Sequence, residues 1–125
     1  MKTKILLVLN VLMGLLFING GLNKFFNYMP MPPDLPEETV KDFAAYMEIA
    51  WLMPLIAVAE LVGGVLIIPS KTRALGTLVL FPVVVGIVLT HVVVDVSGLP
   101  IALIIAALMG WNIADNWKKY MGLLQ

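Results

Sequence analysis

Few residues in this chain have the chemistry to form a site, and most of them fall where the chain is otherwise apolar. Lys24 follows a run that is apolar from residue 5 to residue 22 apart from Asn10 and Asn19. Glu60 stands inside AELVGG, His91 inside THVVVD, and Asn112 inside GWNIAD. An ionised carboxylate or ammonium in hydrocarbon costs several kcal/mol without a partner, so such residues face the protein interior and mark binding or proton-handling sites. A Lys–Glu pair could hold a polar head group or carry a proton; a histidine could add a second donor or acceptor. Asparagines serve either as ligand contacts or as hydrogen-bonded glue between helices.

The same inventory excludes other chemistries. There is no cysteine, which removes thiolate nucleophiles, disulfide relays and thiolate metal sites. A single histidine cannot supply a bis-histidine haem site, and no metal site is expected. The balanced charge, eight basic against eight acidic residues, gives no basic patch for nucleic acid.

The elements that must position these residues are membrane helices. The 125 residues are 61% hydrophobic and 13% charged, where soluble domains carry about 25% charged residues. A span needs about 20 mostly apolar residues, and four such runs can be read, at 5–26, 49–68, 74–94 and 100–117. The expected fold is all-α: a polytopic four-helix transmembrane bundle forming one domain over residues 1–125. Lys2 and Lys4 before the first run also resemble a secretory signal, but the length of that run and the lack of an A-x-A site favour a retained span.

Six of the eight basic residues, Lys2, Lys4, Lys71, Arg73, Lys118 and Lys119, fall on one side of this arrangement. Cytoplasmic loops carry that excess, so both termini are expected in the cytoplasm. The opposite, outer side receives the loop 27–48. Its prolines 30, 32, 33 and 36 extend its first half. Its second half reads as a short interfacial helix opened by Asp34 or Pro36, with Glu37 and Glu38 at its positive end and Val40, Phe43, Ala44 and Met47 on one face. Such a helix is either a solvated cap or a lid over a pocket. Tyr28, Tyr46 and Trp51 at the outer boundary and Trp117 and Tyr120 at the inner one fit headgroup-level belts.

Within the spans, Asn10, Gly14, Phe17, Gly21 and Lys24 recur at steps of four and three and form one stripe. Glycine there lets a neighbouring backbone approach, so Lys24 is expected to point at the bundle, unless its long stem snorkels to the headgroups. Glu60 lies about 16 Å into its span counted from residue 49, on one side with Ala57, Gly63 and Gly64. His91 and Asp95 are four apart on one face, Asn112 is about 18 Å from the outer start of its span, and Asn19 and Asn23 add polar groups to the first helix. Pro54 and Pro82 are expected to interrupt the second and third spans.

GLNKFF closing the first span, AELVGGVLIIPSKTRALG joining the second to the third, and a polar fourth span resemble the DoxX and DoxX-like small membrane proteins. The resemblance covers essentially the whole chain, including Lys24, Glu60 and Arg73. It implies a four-helix protein of the bacterial inner membrane, some relatives of which are associated with quinone-linked sulfur oxidation or oxidative-stress complexes. It carries over no catalytic set.

Together these readings give a ranked expectation. First comes a non-catalytic binding or accessory subunit whose outward-opening pocket, with Lys24, Glu60, His91, Asn19 and Asn112 as ligand contacts, holds a quinone or another amphipathic molecule. Second is a small transporter or proton-coupled channel using Glu60, and third a quinone-linked oxidoreductase component. The expected partners are membrane lipid and a membrane or soluble oxidoreductase, with a homo-oligomer left open.

Overall fold

The computed structural model describes residues 2–29, 34–94 and 96–124. It contains six α-helices: α1 (Lys2–Phe26), α2 (Glu37–Glu48), α3 (Leu52–Ile67), α4 (Arg73–Val93), α5 (Leu99–Asp115) and α6 (Trp117–Met121), with no strand among the described residues. Three stretches, Lys2–Phe26, Arg73–Val93 and Val96–Asp115, are long and apolar enough to cross a membrane. A fourth span is completed if α2 and α3, bent by 95° at their junction, are taken as one broken unit. The chain is a multi-pass, all-helical membrane protein. Pro30, Pro32, Pro33 and Asp95, all assigned roles from the sequence, lie outside the described residues.

The helices pack in the order α1, α3, α4, α5, each antiparallel to the next. The α1–α3 seam is set by glycine. A Cβ on Gly14 would sit 2.6 Å from the Gly64 carbonyl oxygen, one on Gly64 would sit 2.8 Å from the Gly14 carbonyl oxygen, and one on Gly21 would sit 2.8 Å from the Ala57 carbonyl oxygen. Only a residue without a side chain permits that approach. Gly14 therefore faces Gly64, and Gly21 faces Ala57, a matching step of seven residues on each helix. The predicted stripe holds: Asn10, Gly14, Phe17 and Gly21 are all buried, as are Ala57, Glu60, Gly63 and Gly64.

Towards the end that carries both termini, the interior is an apolar plug of Met13, Phe17, Ile67, Leu80, Val84, Ile105 and Met109. Gly63 accepts Leu80 where a Cβ would lie 2.5 Å from that side chain. The same end is fastened by polar contacts. Arg73 donates from Nε to the Ile67 carbonyl and from Nη2 to the Ile68 carbonyl, both at 2.8 Å, and so caps the C-terminus of α3. Counted in the sequence as a loop charge, it is in fact 3% exposed, because a guanidinium satisfies orphan helix carbonyls while favouring their negative end. The Tyr120 hydroxyl donates to the Ala74 carbonyl at 2.9 Å, holding α6 to the start of α4.

Several boundaries differ from the sequence reading. The second span begins at Leu52 rather than residue 49, because residues 49–51 form the sharp turn out of α2. Pro54 then falls in the first turn of α3, where its missing N–H breaks no intrahelical bond, so it does not interrupt the span. Pro82 does lie inside α4. The fourth span stops at Asp115, and Trp117 belongs to α6 beyond a break at Asn116. With 16 residues, α3 is about 24 Å long, short of the ~30 Å hydrocarbon thickness.

Candidate functional site

Above the apolar plug, at the α2 end, α1, α2, α3 and α4 enclose a cavity of about 480 Å³, within the ~300–1,000 Å³ range of small-molecule sites. Lys24 and Glu60 are on its wall, with Ile56, Met53 and Leu52 continuing along α3 and Pro82, Val83, Gly86, Ile87, Thr90 and His91 along α4; α2 contributes Thr39, Asp42, Phe43 and Tyr46. Seven of these fifteen residues are polar or ionisable and the rest apolar, as in a site for an amphipathic molecule.

Lys24 Nζ lies 2.5 Å from Glu60 Oε1. The register of the seam places Glu60 level with residue 18, six residues deeper than Lys24, or about 9 Å at 1.5 Å per residue. Side chains on a helix lean toward its N-terminus. On α1 that direction is inward and on antiparallel α3 it is toward the α2 end, so the two stems converge and close the offset. Gly20 makes the meeting possible, since a Cβ there would lie 2.6 Å from Glu60 Oε2 and 4.0 Å from Lys24 Nζ. The pair is asymmetric in depth: the Lys24 side chain is 24% exposed and that of Glu60 only 7%.

The contact leaves polar capacity unused. No aligned hydrogen bond reaches Glu60 Oε1, so Lys24 meets it as a close ion pair, and the buried Thr39 Oγ1, 4% exposed as a residue, has no partner among the described residues. Buried polar atoms are ordinarily satisfied, and the Thr39 hydroxyl, which is not, belongs to the same cavity wall as the ion pair.

The α2 helix sorts its residues into three sectors at 100° per residue. Thr39, Asp42, Phe43 and Tyr46 turn to the cavity, with Phe43 and Tyr46 packed edge to face at 6.3 Å. Val40, Ala44 and Met47 form an exposed apolar sector, and Glu37, Glu38, Lys41 and Glu48 an exposed charged one. Of the face expected from the sequence only Phe43 looks inward. Thr39, Asp42 and Tyr46 share that inward face with the helical spacing 39, 42, 43, 46, which a rule that takes apolar residues as the mark of the packed side does not single out. The cavity-side placement makes α2 a lid rather than a free cap.

His91 lines the cavity and packs its ring against Gly98, where a Cβ would lie 2.5 Å from Nδ1. Asn19 and Asn112 do not reach it. Asn19 ties the end of α1 to the loop, accepting from the Tyr28 hydroxyl and donating to Met29 Sδ at 3.5 Å. Asn23 accepts from the Met29 amide at 2.8 Å, and Asn27 ends the helix at φ 50°, the left-handed conformation that asparagine tolerates at a C-cap. Asn112, fully buried, is paired with Asn10 through two hydrogen bonds of 2.7 and 2.9 Å. Asn10 also donates to the Leu6 carbonyl at 2.9 Å, and Asn116 to the Asn112 carbonyl at 2.8 Å. These asparagines join α1 to α5 below the plug. Among the described residues no cluster of three or more His, Asp or Glu side chains could hold a metal ion.

No curated protein and no solved structure matches the chain. The DoxX family model matches residues 5–92, well over half of the sequence and every residue of the cavity wall. The chain belongs to the DoxX family of membrane proteins.

Proposed function

We propose that this protein is a small binding or accessory subunit of the bacterial cytoplasmic membrane, whose cavity at the α2 end holds an amphipathic ligand such as a quinone, on its own or for a partner oxidoreductase. The observation that carries this reading is the coincidence, in one ligand-sized space, of the Lys24–Glu60 pair with the unpartnered Thr39 hydroxyl under a helical lid. A polar group without a partner and an ion pair in hydrocarbon are both costly, and a bound polar head relieves the first while using the second. The charge asymmetry of the loops supports both termini in the cytoplasm and the cavity opening outward.

Transport through the bundle fits less well. Past Glu60 toward the termini stand the apolar plug and the Gly14–Gly64 contact, and the buried polar groups beyond are already used, Thr77 donating to the Arg73 carbonyl and Asn10 and Asn112 bonding each other.

The test is organic extraction of the purified protein followed by mass spectrometry, run beside Glu60→Gln. A stoichiometric membrane-soluble molecule, lost in the variant while its helical content is unchanged, is the expected result. Recovery of nothing from the parent protein, with the variant as stable as the parent, would leave the interior as packing alone.

A further inference from the structure

The charge arrangement of the cavity narrows the class of ligand, given the binding reading above on which this inference rests. Lys24 and Glu60 neutralise one another at 2.5 Å. A head group of net negative charge would draw Lys24 away and leave a 7% exposed carboxylate alone in the membrane; one of net positive charge would compete with Lys24 for the same carboxylate, two cations against one anion. Either outcome gives the cavity a net charge where the pair alone has none, which a low-dielectric interior disfavours. The remaining acid on the wall, Asp42, sits on the lid at intermediate exposure, where solvent weakens its field. The deep part of the site therefore selects against ions of both signs.

The unused hydrogen-bonding capacity specifies the rest. Lys24 has three ammonium protons, of which the pair occupies one, so it can donate to an incoming oxygen. The Thr39 hydroxyl can donate or accept. Glu60 offers acceptor oxygens only, with Oε2 in the space that Gly20 leaves open. A carbonyl alone answers the donors and leaves Glu60 unserved, so of a quinone's two redox forms the hydroxyl-bearing quinol fits and the oxidised quinone does not. We infer that the cavity selects an uncharged amphiphile whose head carries at least one hydroxyl, accepting from Lys24 and Thr39 and donating to Glu60, and that it discriminates against ionic lipids of the same tail length. The volume agrees, since about 480 Å³ is about sixteen water-sized groups at ~30 Å³ each, enough for a head and the first part of one chain.

Three photoreactive probes with one twelve-carbon, diazirine-bearing tail test this: the alcohol, the sulfonate and the trimethylammonium, the last two charged at every working pH. The full-length protein in zwitterionic nanodiscs is irradiated with each, and adducts on peptides bearing Thr39, Ile56 and Ile87 are divided by adducts on the exposed face of α5, which corrects for partitioning into the bilayer. The alcohol is expected to label the cavity at least ten-fold over the α5 face, and both ions to show no enrichment. Lys24→Met should then gain the trimethylammonium probe and Glu60→Gln the sulfonate. The charge-swapped K24E/E60K protein, which keeps a pair, should retain preference for the alcohol. Cavity labelling that is equal for all three probes, or stronger for an ion in the parent protein, overturns the inference while leaving the binding reading intact. Absence of enrichment for all three probes removes the binding reading, and this inference with it.

Discussion

Lys24→Met should destabilise the protein far more than Glu60→Gln, and the double variant should be close to the parent. At an effective dielectric of about 20, unit charges separated by 2.5 Å attract by about 7 kcal/mol, but desolvation of the two ions offsets several kcal/mol each. Removal of one partner strands the other, at about 3–5 kcal/mol when it is buried. The two singles differ because the partners differ in depth, 24% against 7% exposed. After Glu60→Gln, Lys24 can extend its stem toward the α2 end and regain water, so a loss of about 1–2 kcal/mol is expected, with the glutamine filling the same volume. After Lys24→Met, Glu60 has no such route, and the loss should approach the full 3–5 kcal/mol. With both charges gone the desolvation penalty vanishes too, leaving the double variant within about 1 kcal/mol of the parent and a coupling of at least about 3 kcal/mol. Reversible unfolding in mixed micelles, followed by helical circular dichroism, measures all four corners of the cycle. Additive single effects, or a Glu60→Gln loss exceeding that of Lys24→Met, would refute the claim that the pair is the dominant interaction at the floor of the cavity.

Glycine substitutions should divide by location. Gly64→Ala pushes a methyl group against the Gly14 carbonyl, a backbone atom that cannot rotate away, and should cost about 1–3 kcal/mol in the same unfolding assay. Gly86→Ala meets nothing within 4 Å and should be neutral or stabilising by up to ~1 kcal/mol through helix propensity. Asn112→Ala removes both bonds to a fully buried Asn10 and should cost about 1–2 kcal/mol, above the ~0.6 kcal/mol average for a membrane hydrogen bond, without changing ligand recovery, since the pair lies outside the cavity. A loss of ligand in that variant at unchanged stability would contradict this separation.

Membrane insertion, the all-helical fold and the packed faces of α1 and α3 were legible in the sequence. Each follows from local rules: hydrocarbon thickness sets the run length, and the 3.6-residue period places Asn10, Gly14, Phe17 and Gly21 on one stripe whatever they pack against. Lys24 and Glu60 could be singled out on the same grounds, as ionisable residues that hydrocarbon does not tolerate alone. That the two interact, directly or through water or a ligand, follows from the same grounds; that they touch directly does not, because their nominal depths counted from each span's edge differ by about 12 Å. The pair needs the offset fixed by the Gly14–Gly64 contact, the opposite lean of side chains on antiparallel helices, and the opening at Gly20. Those are relations between distant segments. The fate of the asparagines was likewise undecided, since one amide bonds a ligand, a loop or another amide equally well. Only the tertiary arrangement sends Asn19 to the Tyr28 turn and Asn112 to Asn10. The inward face of α2 was hidden for a related reason. An interfacial helix over a polar cavity has three environments, and a rule that sorts residues into apolar-in and polar-out cannot place Thr39, whose buried and unpartnered hydroxyl makes sense only against the space that α1, α3 and α4 enclose.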